Sequence, residues 1–319
     1  MNKIIGVLII LLTVISCKTD EKKQIDVSEI DITISVDRFE EKFYAATKES
    51  LPQLKAEYPF LFPVQNPDTV WLNRIQDPKE LELYKKTQLV FGDFKAEKLE
   101  IADLFKHVKY YHPTFTAPEI ITLITNLDFQ NKVMYTKNYL FISLDLFLGK
   151  DDEVYEGFPL YLAQNFEKTQ LPVAIAKAIS QQFVIPEKSR QFIDLIVNEG
   201  KKMCLLDSYL PSETDARKME YSTDQLEWAI TNEQQIWKYF IENKLLYSTD
   251  ADLYTRFVAN APFSKFYIDI DKESPGKIGV WLGWQIVRSY MNNNNVTLQQ
   301  LLQTNAEEIF KKSKYKPKK

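Results

Sequence analysis

Hydrophobic positions change their period along this chain, and each change marks an element. Residues 4–15 form one uncharged apolar run behind Lys3. It is shorter than the roughly 20 residues that cross a bilayer, and it has the length of a secretory signal core. Ile30, Ile32, Ile34 and Val36 then alternate with Asp31, Thr33 and Ser35, which predicts a half-buried strand, and Phe39 and Phe43 follow at helical spacing. The proline-rich stretch 51–67 (LPQLKAEYPFLFPVQNP) reads as a loop. One or two helices are expected over 77–104, with Leu81, Tyr84 and Leu89 among charges. Residues 119–127 and 139–148, rich in branched and aromatic side chains and ending at Gly149, read as strands of a small central sheet.

Beyond Gly149 the pattern becomes mainly helical. In 189–206 the apolar stripe is Phe192, Leu195, Ile196, Met203 and Leu206, and in 223–246 it is Leu226, Ile230, Trp237, Phe240 and Ile241. A third helix is expected over 277–292, with Ser274 as its N-cap and Pro275 in its first turn. Only eight glycines in 319 residues agree with a chain poor in tight hairpins. The expected class is α+β and mainly α-helical, a small central β-sheet flanked by helices. One folded unit over 29–310 is expected, with its β-containing part ending near residue 150.

The start of the chain adds chemistry. Val14-Ile15-Ser16-Cys17 resembles the lipobox of bacterial lipoproteins, so residues 1–16 read as a removable signal peptide and Cys17 as the lipidated residue. The charged stretch 17–28 then serves as a tether, and the protein sits in the cell envelope, lipid-anchored at the outer membrane or the periplasmic face. Residues 311–319 (KKSKYKPKK) read as a solvated basic tail. A net charge of −4 with interspersed signs offers no field for nucleic acid. Once Cys17 carries lipid, Cys204 is the remaining thiol, and its apolar neighbours make it a packed one. His107 and His112, five residues apart, face different sides of a helix and do not suit one metal ion. No phosphate loop, dinucleotide fingerprint or nucleophile elbow occurs, so neither a cofactor nor a metal is implied.

Two acids stand out. Glu199 falls between Leu195 and Met203, and Glu233 between Ile230 and Trp237, so both are expected to face inward and to need partners. In the third helix, Gly279 and Gly283 leave a groove for close approach, and Arg288 lies on the side of Trp281 and Trp284. The expectation is that Arg288 is held by the indoles or forks onto Glu199 or Glu233. Glu199, Glu233, Trp281, Trp284 and Arg288 therefore form the candidate pocket, either a structural ion pair or a ligand site.

The segments at 196–211 (IVNEGKKMCLLDSYLP), 228–250 and 261–291 (APFSKFYIDIDKESPGKIGVWLGWQIVRSYM) resemble the GldB family of gliding-motility lipoproteins of the Bacteroidetes, as do DRFEEKF at 37–43 and SLDLFLG at 143–149. That resemblance implies an envelope lipoprotein of the gliding machinery linked to type IX secretion, with other gliding-motility envelope proteins as partners. The layout also looks like distant zincin peptidases, but the helix that would bear HExxH reads LPVAIAKAISQQF (171–183), and no HExxH occurs anywhere. The expected role is a non-catalytic scaffold or assembly component. The alternatives are an envelope hydrolase using Glu199 and Glu233, or a small-ligand binding module.

Overall fold

The computed structural model describes residues 25–186, 188–269 and 271–317. The expected signal peptide, Cys17 and residues 18–24 of the tether lie outside the described residues. Of the described residues 56% are helical, beside a small mixed sheet, an α+β fold in which helix predominates, as expected.

The segment before the first helix alternates in burial from Ile30 to Val36, but its ladder is confined to β1 (Val36–Asp37). Then come α1 (Phe39–Tyr44), α2 (Leu51–Glu57), α3 (Asp68–Gln76), α4 (Pro78–Phe91) and α5 (Lys95–Tyr111). The expected loop at 51–67 is thus half wrong, because LPQLKAE forms α2. Pro52 sits in its first turn, where the missing N–H has no intrahelical partner to lose. In α4 the buried side is Glu80, Leu83, Thr87 and Phe91, and Leu89 points to solvent. Helix α5 carries Ile101, Leu104, Phe105 and Val108 at the spacing of one helical face, all buried.

Among the described residues the sheet has four strands in the order β1-β2-β4-β3, with β2 (Glu119–Leu123), β3 (Val133–Tyr135) and β4 (Tyr139–Ser143). Strands β1, β2 and β4 run parallel and β3 closes the edge antiparallel. The two-residue period decides which face each side chain serves. Ile120, Leu140 and Ile142 join the main core, whereas Ile121, Tyr139 and Phe141 turn to a second cluster under α1 to α3, built on Phe39, Phe43, Leu51, Phe62 and Trp71. Both faces are covered, as parallel pairing requires.

The rest of the body comprises α6 (Leu160–Ala163), α7 (Leu171–Ser180), α8 (Phe192–Tyr209), α9 (Asp215–Met219), α10 (Thr223–Thr231), α11 (Glu233–Glu242), α12 (Asp252–Phe257), α13 (Ile278–Asn293), α14 (Leu298–Gln303) and α15 (Ala306–Ser313). Helix α8 is buried nearly all round, the mark of a central helix. Its first amides are capped from outside, since Phe192 N–H donates to Ser248 O and Ile193 N–H to Leu246 O. The single helix expected over 223–246 is two. Asn232 Nδ2 donates to the Trp228 carbonyl at 2.9 Å and breaks the run, which makes Glu233 the first residue of α11. Ile230 and Ile241, expected inside, are exposed, and the buried line is Ala229, Glu233, Ile236 and Phe240.

Helix α13 also starts later than its sequence suggests. Lys277, left-handed at φ 59°, precedes Ile278, whose N–H is capped by Ser264 Oγ at 3.2 Å. Ser274 does not cap; its hydroxyl donates to carbonyls of Ser264 and Asp271. At the far end Lys311 and Lys312 belong to α15 and pair with Glu307 and Glu308, and Tyr315 packs edge-on against Trp237. The packed body therefore reaches past residue 310.

Candidate functional site

Helices α8 and α13 cross with their backbones in contact. A Cβ on Gly200 would stand 2.3 Å from the Gly283 carbonyl oxygen, so glycine at both 200 and 283 is what allows the approach. Gly279 likewise meets Ile196 and Phe257. The groove expected from the glycine spacing is real, and α8 fills it.

The crossing brings Arg288 onto Asp207. Its Nε and Nη2 donate to the two carboxylate oxygens at 2.8 and 2.7 Å, a bidentate fork. Nη1 and Nη2 also donate to Asp215 at 2.6 and 2.8 Å. Trp284 Nε1 and Lys218 Nζ complete Asp207 at 2.9 and 3.1 Å, and the guanidinium lies 3.7 Å from the Trp284 ring centre. Burial alone would raise the Asp207 carboxyl, but the bonds and charges of Arg288 and Lys218 outweigh it and hold it below its usual value. Burial works against the Arg288 cation as well, and Asp215 and Asp207 overcome that effect to keep it charged. Arg288 thus stacks on Trp284, one of the two indoles between which the sequence placed it. The partners differ: Arg288 binds Asp207 and Asp215, not Glu199 or Glu233.

Each of those acids has its own setting. Glu199 is half-buried at the rim of a cavity and pairs with Lys202 at 2.7 Å. It is not the inward carboxylate that was expected, because the buried line of α8 runs through Ile196 and Gly200 and turns residue 199 to the edge. Glu233 is buried, as expected, and accepts a hydrogen bond from the Tyr315 hydroxyl at 2.7 Å. Burial and the neighbouring Glu233 push that phenol well above its ordinary value. Trp281 and Trp284 are buried in the helix crossing rather than lining an open pocket. His107 bonds the Asp103 carbonyl, whereas His112 stacks on Phe183 and meets Tyr209 Oη at 2.7 Å, so the two histidines serve separate packing sites. Burial pulls His112 down to about 4, which keeps it neutral near pH 7. Cys204 is buried on α8.

Beside the crossing lies a cavity of about 520 Å³ between α7, β3, the end of α9 and the start of α13. Helix α7 shows it Ala174, Lys177, Ala178 and Gln181, one helical face on which two alanines leave room around a single lysine. Lys177 and Lys277 both bond Glu220, at 2.7 and 2.9 Å. Lys132, just before β3, donates to the Asn165 carbonyl at 2.8 Å and lies over the rings of Phe147 and Phe166. Burial depresses Lys132 and Lys177 to about 8 despite Glu220. Glu220 shifts far down, because one carboxylate faces three cations that outweigh its burial. The pair thus shifts asymmetrically for a simple reason: the acid sees three opposite charges, and each lysine sees one. Glu220 and Lys277 are both left-handed, each at φ 59°, a backbone state uncommon outside glycine. None of these four residues stood out in the sequence; the one trace was Lys177, the sole charge in an apolar helix.

A second cavity of about 310 Å³ shares the wall of Lys177, Glu220 and Lys277 and is rimmed by Glu199, Lys202 and Tyr254. Among the described residues no cluster of histidine, cysteine and carboxylate side chains is placed to hold a metal ion, and no helix is long and apolar enough to cross a membrane.

Comparison with known proteins gives one result for nearly the whole chain. The family model described as "Gliding motility protein GldB" matches residues 20–317. No curated protein and no solved structure matches.

Proposed function

Because the chain belongs to the GldB family of gliding-motility proteins, we propose that its folded body is a non-catalytic assembly component of the gliding apparatus. In this reading the body is held at the envelope by lipid on Cys17 and works through other envelope proteins of the same machinery. One observation carries the non-catalytic part. The charged groups at the helix crossing are spent on one another, with Arg288 held by Asp207 and Asp215, and Asp207 by Arg288, Trp284 and Lys218. A reacting centre needs groups aimed at substrate, and these are aimed at each other. Glu199 and Glu233, the acids a hydrolase would use, are engaged by Lys202 and Tyr315 respectively.

The test is genetic and biochemical together. Removing residues 29–317 should stop cells spreading, whereas Glu199→Gln and Glu233→Gln should leave spreading intact wherever the protein accumulates normally. Cys17→Ser should block incorporation of labelled palmitate and release the protein from the membrane fraction. A glutamine variant that accumulates and melts normally but abolishes spreading would overturn the non-catalytic reading in favour of an envelope hydrolase.

A further inference from the structure

We propose that the cavity between α7, β3 and the start of α13 binds a small organic molecule carrying a doubly charged oxyanion, a phosphate or a pair of carboxylates. This goes beyond the assembly role and does not depend on it. Three ammonium groups, Lys132, Lys177 and Lys277, line the cavity with a single carboxylate, Glu220, and no other charged side chain lies on its wall among the described residues. Three positive charges against one negative leave an excess of two. Surface lysines shed such an excess into water, but these sit in a concavity flanked by Phe166 and Tyr221, where a bound anion is the natural counter-charge.

Geometry separates the roles of the four groups. Lys177 and Lys277 share the one carboxylate of Glu220, whereas Lys132 has a carbonyl and two rings as neighbours and no carboxylate within ion-pair distance among the described residues. Its remaining ammonium hydrogens are the primary donors to the anion. A cavity of about 520 Å³ exceeds what a bare ion fills and falls within the range of organic ligand sites. Tyr161 and Phe166 supply apolar faces for that organic body, and Gln164, Gln181 and Gln225 supply amides to orient it. Left-handed backbone at Glu220 and Lys277, which pair with each other at 2.9 Å on the cavity wall, is the kind of strain that holds binding residues in place.

Inorganic phosphate and citrate, as separate probes, distinguish the two sources of the charge. Full-length protein in neutral detergent is titrated with each by calorimetry, and lysine acetylation is mapped by mass spectrometry with and without the probe. Saturable binding of either probe, with Lys132 and Lys177 protected from acetylation, is the expected result. Phosphate alone indicates a phosphorylated ligand, citrate alone a carboxylate ligand, and both indicate a site for oxyanions generally. Lys132→Met should weaken binding about tenfold or more, and Glu220→Gln, which adds one unit of net positive charge, should tighten it. If Lys132→Met does not fold, Glu220→Gln and the protection pattern on the unaltered protein decide. The proposal is overturned if neither probe saturates, if acetylation of both lysines ignores the probe, or if Glu220→Gln leaves affinity unchanged or lower.

Discussion

Gly283 lies so close to Ile196 that a Cβ placed on it would stand 1.8 Å from the Ile196 carbonyl oxygen. No rotamer change relieves such a contact, because the obstacle is backbone on a buried helix. Gly283→Ala should therefore force α8 and α13 apart and cost about 3 kcal/mol or more, at or above the upper end for overpacking. Denaturant unfolding of the purified variant checks it. A loss below about 1 kcal/mol would mean that the helices do not cross at this distance.

Asp207 and Arg288 should behave as a coupled pair. Arg288→Met leaves Asp207 and Asp215 facing each other with Lys218 as the remaining cation, and should cost about 3 kcal/mol, allowing for partial exposure of the guanidinium. Adding Asp207→Asn to that variant should cost less than the two single losses combined, and a double-mutant cycle measures the difference. The acid response follows from the sign of the shift. Asp207 is held below its ordinary 3.8, so its stabilisation is complete above that pH and is lost as pH falls further. Asp207→Asn should flatten this part of the acid unfolding curve.

The sequence made some of this legible and hid the rest for physical reasons. Strands β2 and β4 announced themselves because their side chains alternate between two apolar layers, whereas β3 has only Val133, Met134 and Tyr135, too few to show a period. Gly279 and Gly283 were readable because glycine inside a helix needs a reason, and α8 is that reason. Glu199 was misplaced by a rotation of about one residue: Leu195, counted in the apolar stripe, is itself half-buried. The partners of Arg288 were hidden because Asp207 and Asp215 lie on separate helices, and only the fold brings them together. The lysine cavity was hidden in the same way, its four charges coming from four distant segments.

Tyr315 fastens the end of the chain. Its hydroxyl donates to the buried Glu233 and its ring packs against Trp237, so Tyr315→Phe should cost about 1.5–3 kcal/mol, the value of one hydrogen bond to a carboxylate. Ending the chain at residue 314 should cost more, since the ring contact goes too. Urea midpoints of the three proteins give the order directly. Equal midpoints would show the last residues to be a free tail.

Alkaline pH offers the most distinctive test, because two sets of groups pull in opposite directions. Lys132 and Lys177 titrate near 8 in the folded protein against an ordinary value of 10.5. Between those limits the unfolded chain holds protons that the native one has released, so stability rises with pH by up to about 1.4 kcal/mol per unit for each lysine. The buried phenols Tyr209, Tyr221 and Tyr315 are displaced the other way, above their ordinary 10.0, chiefly by burial. Past that pH the unfolded chain ionises while the native one resists, and stability falls. Unfolding free energies measured by urea across this range should therefore climb from about pH 8, peak near pH 10 and drop beyond it. Lys132→Met together with Lys177→Met should remove the climb and leave the drop. A flat profile from pH 8 to 10 in the unaltered protein would mean that the two ammonium groups stand in water rather than in a desolvated cavity.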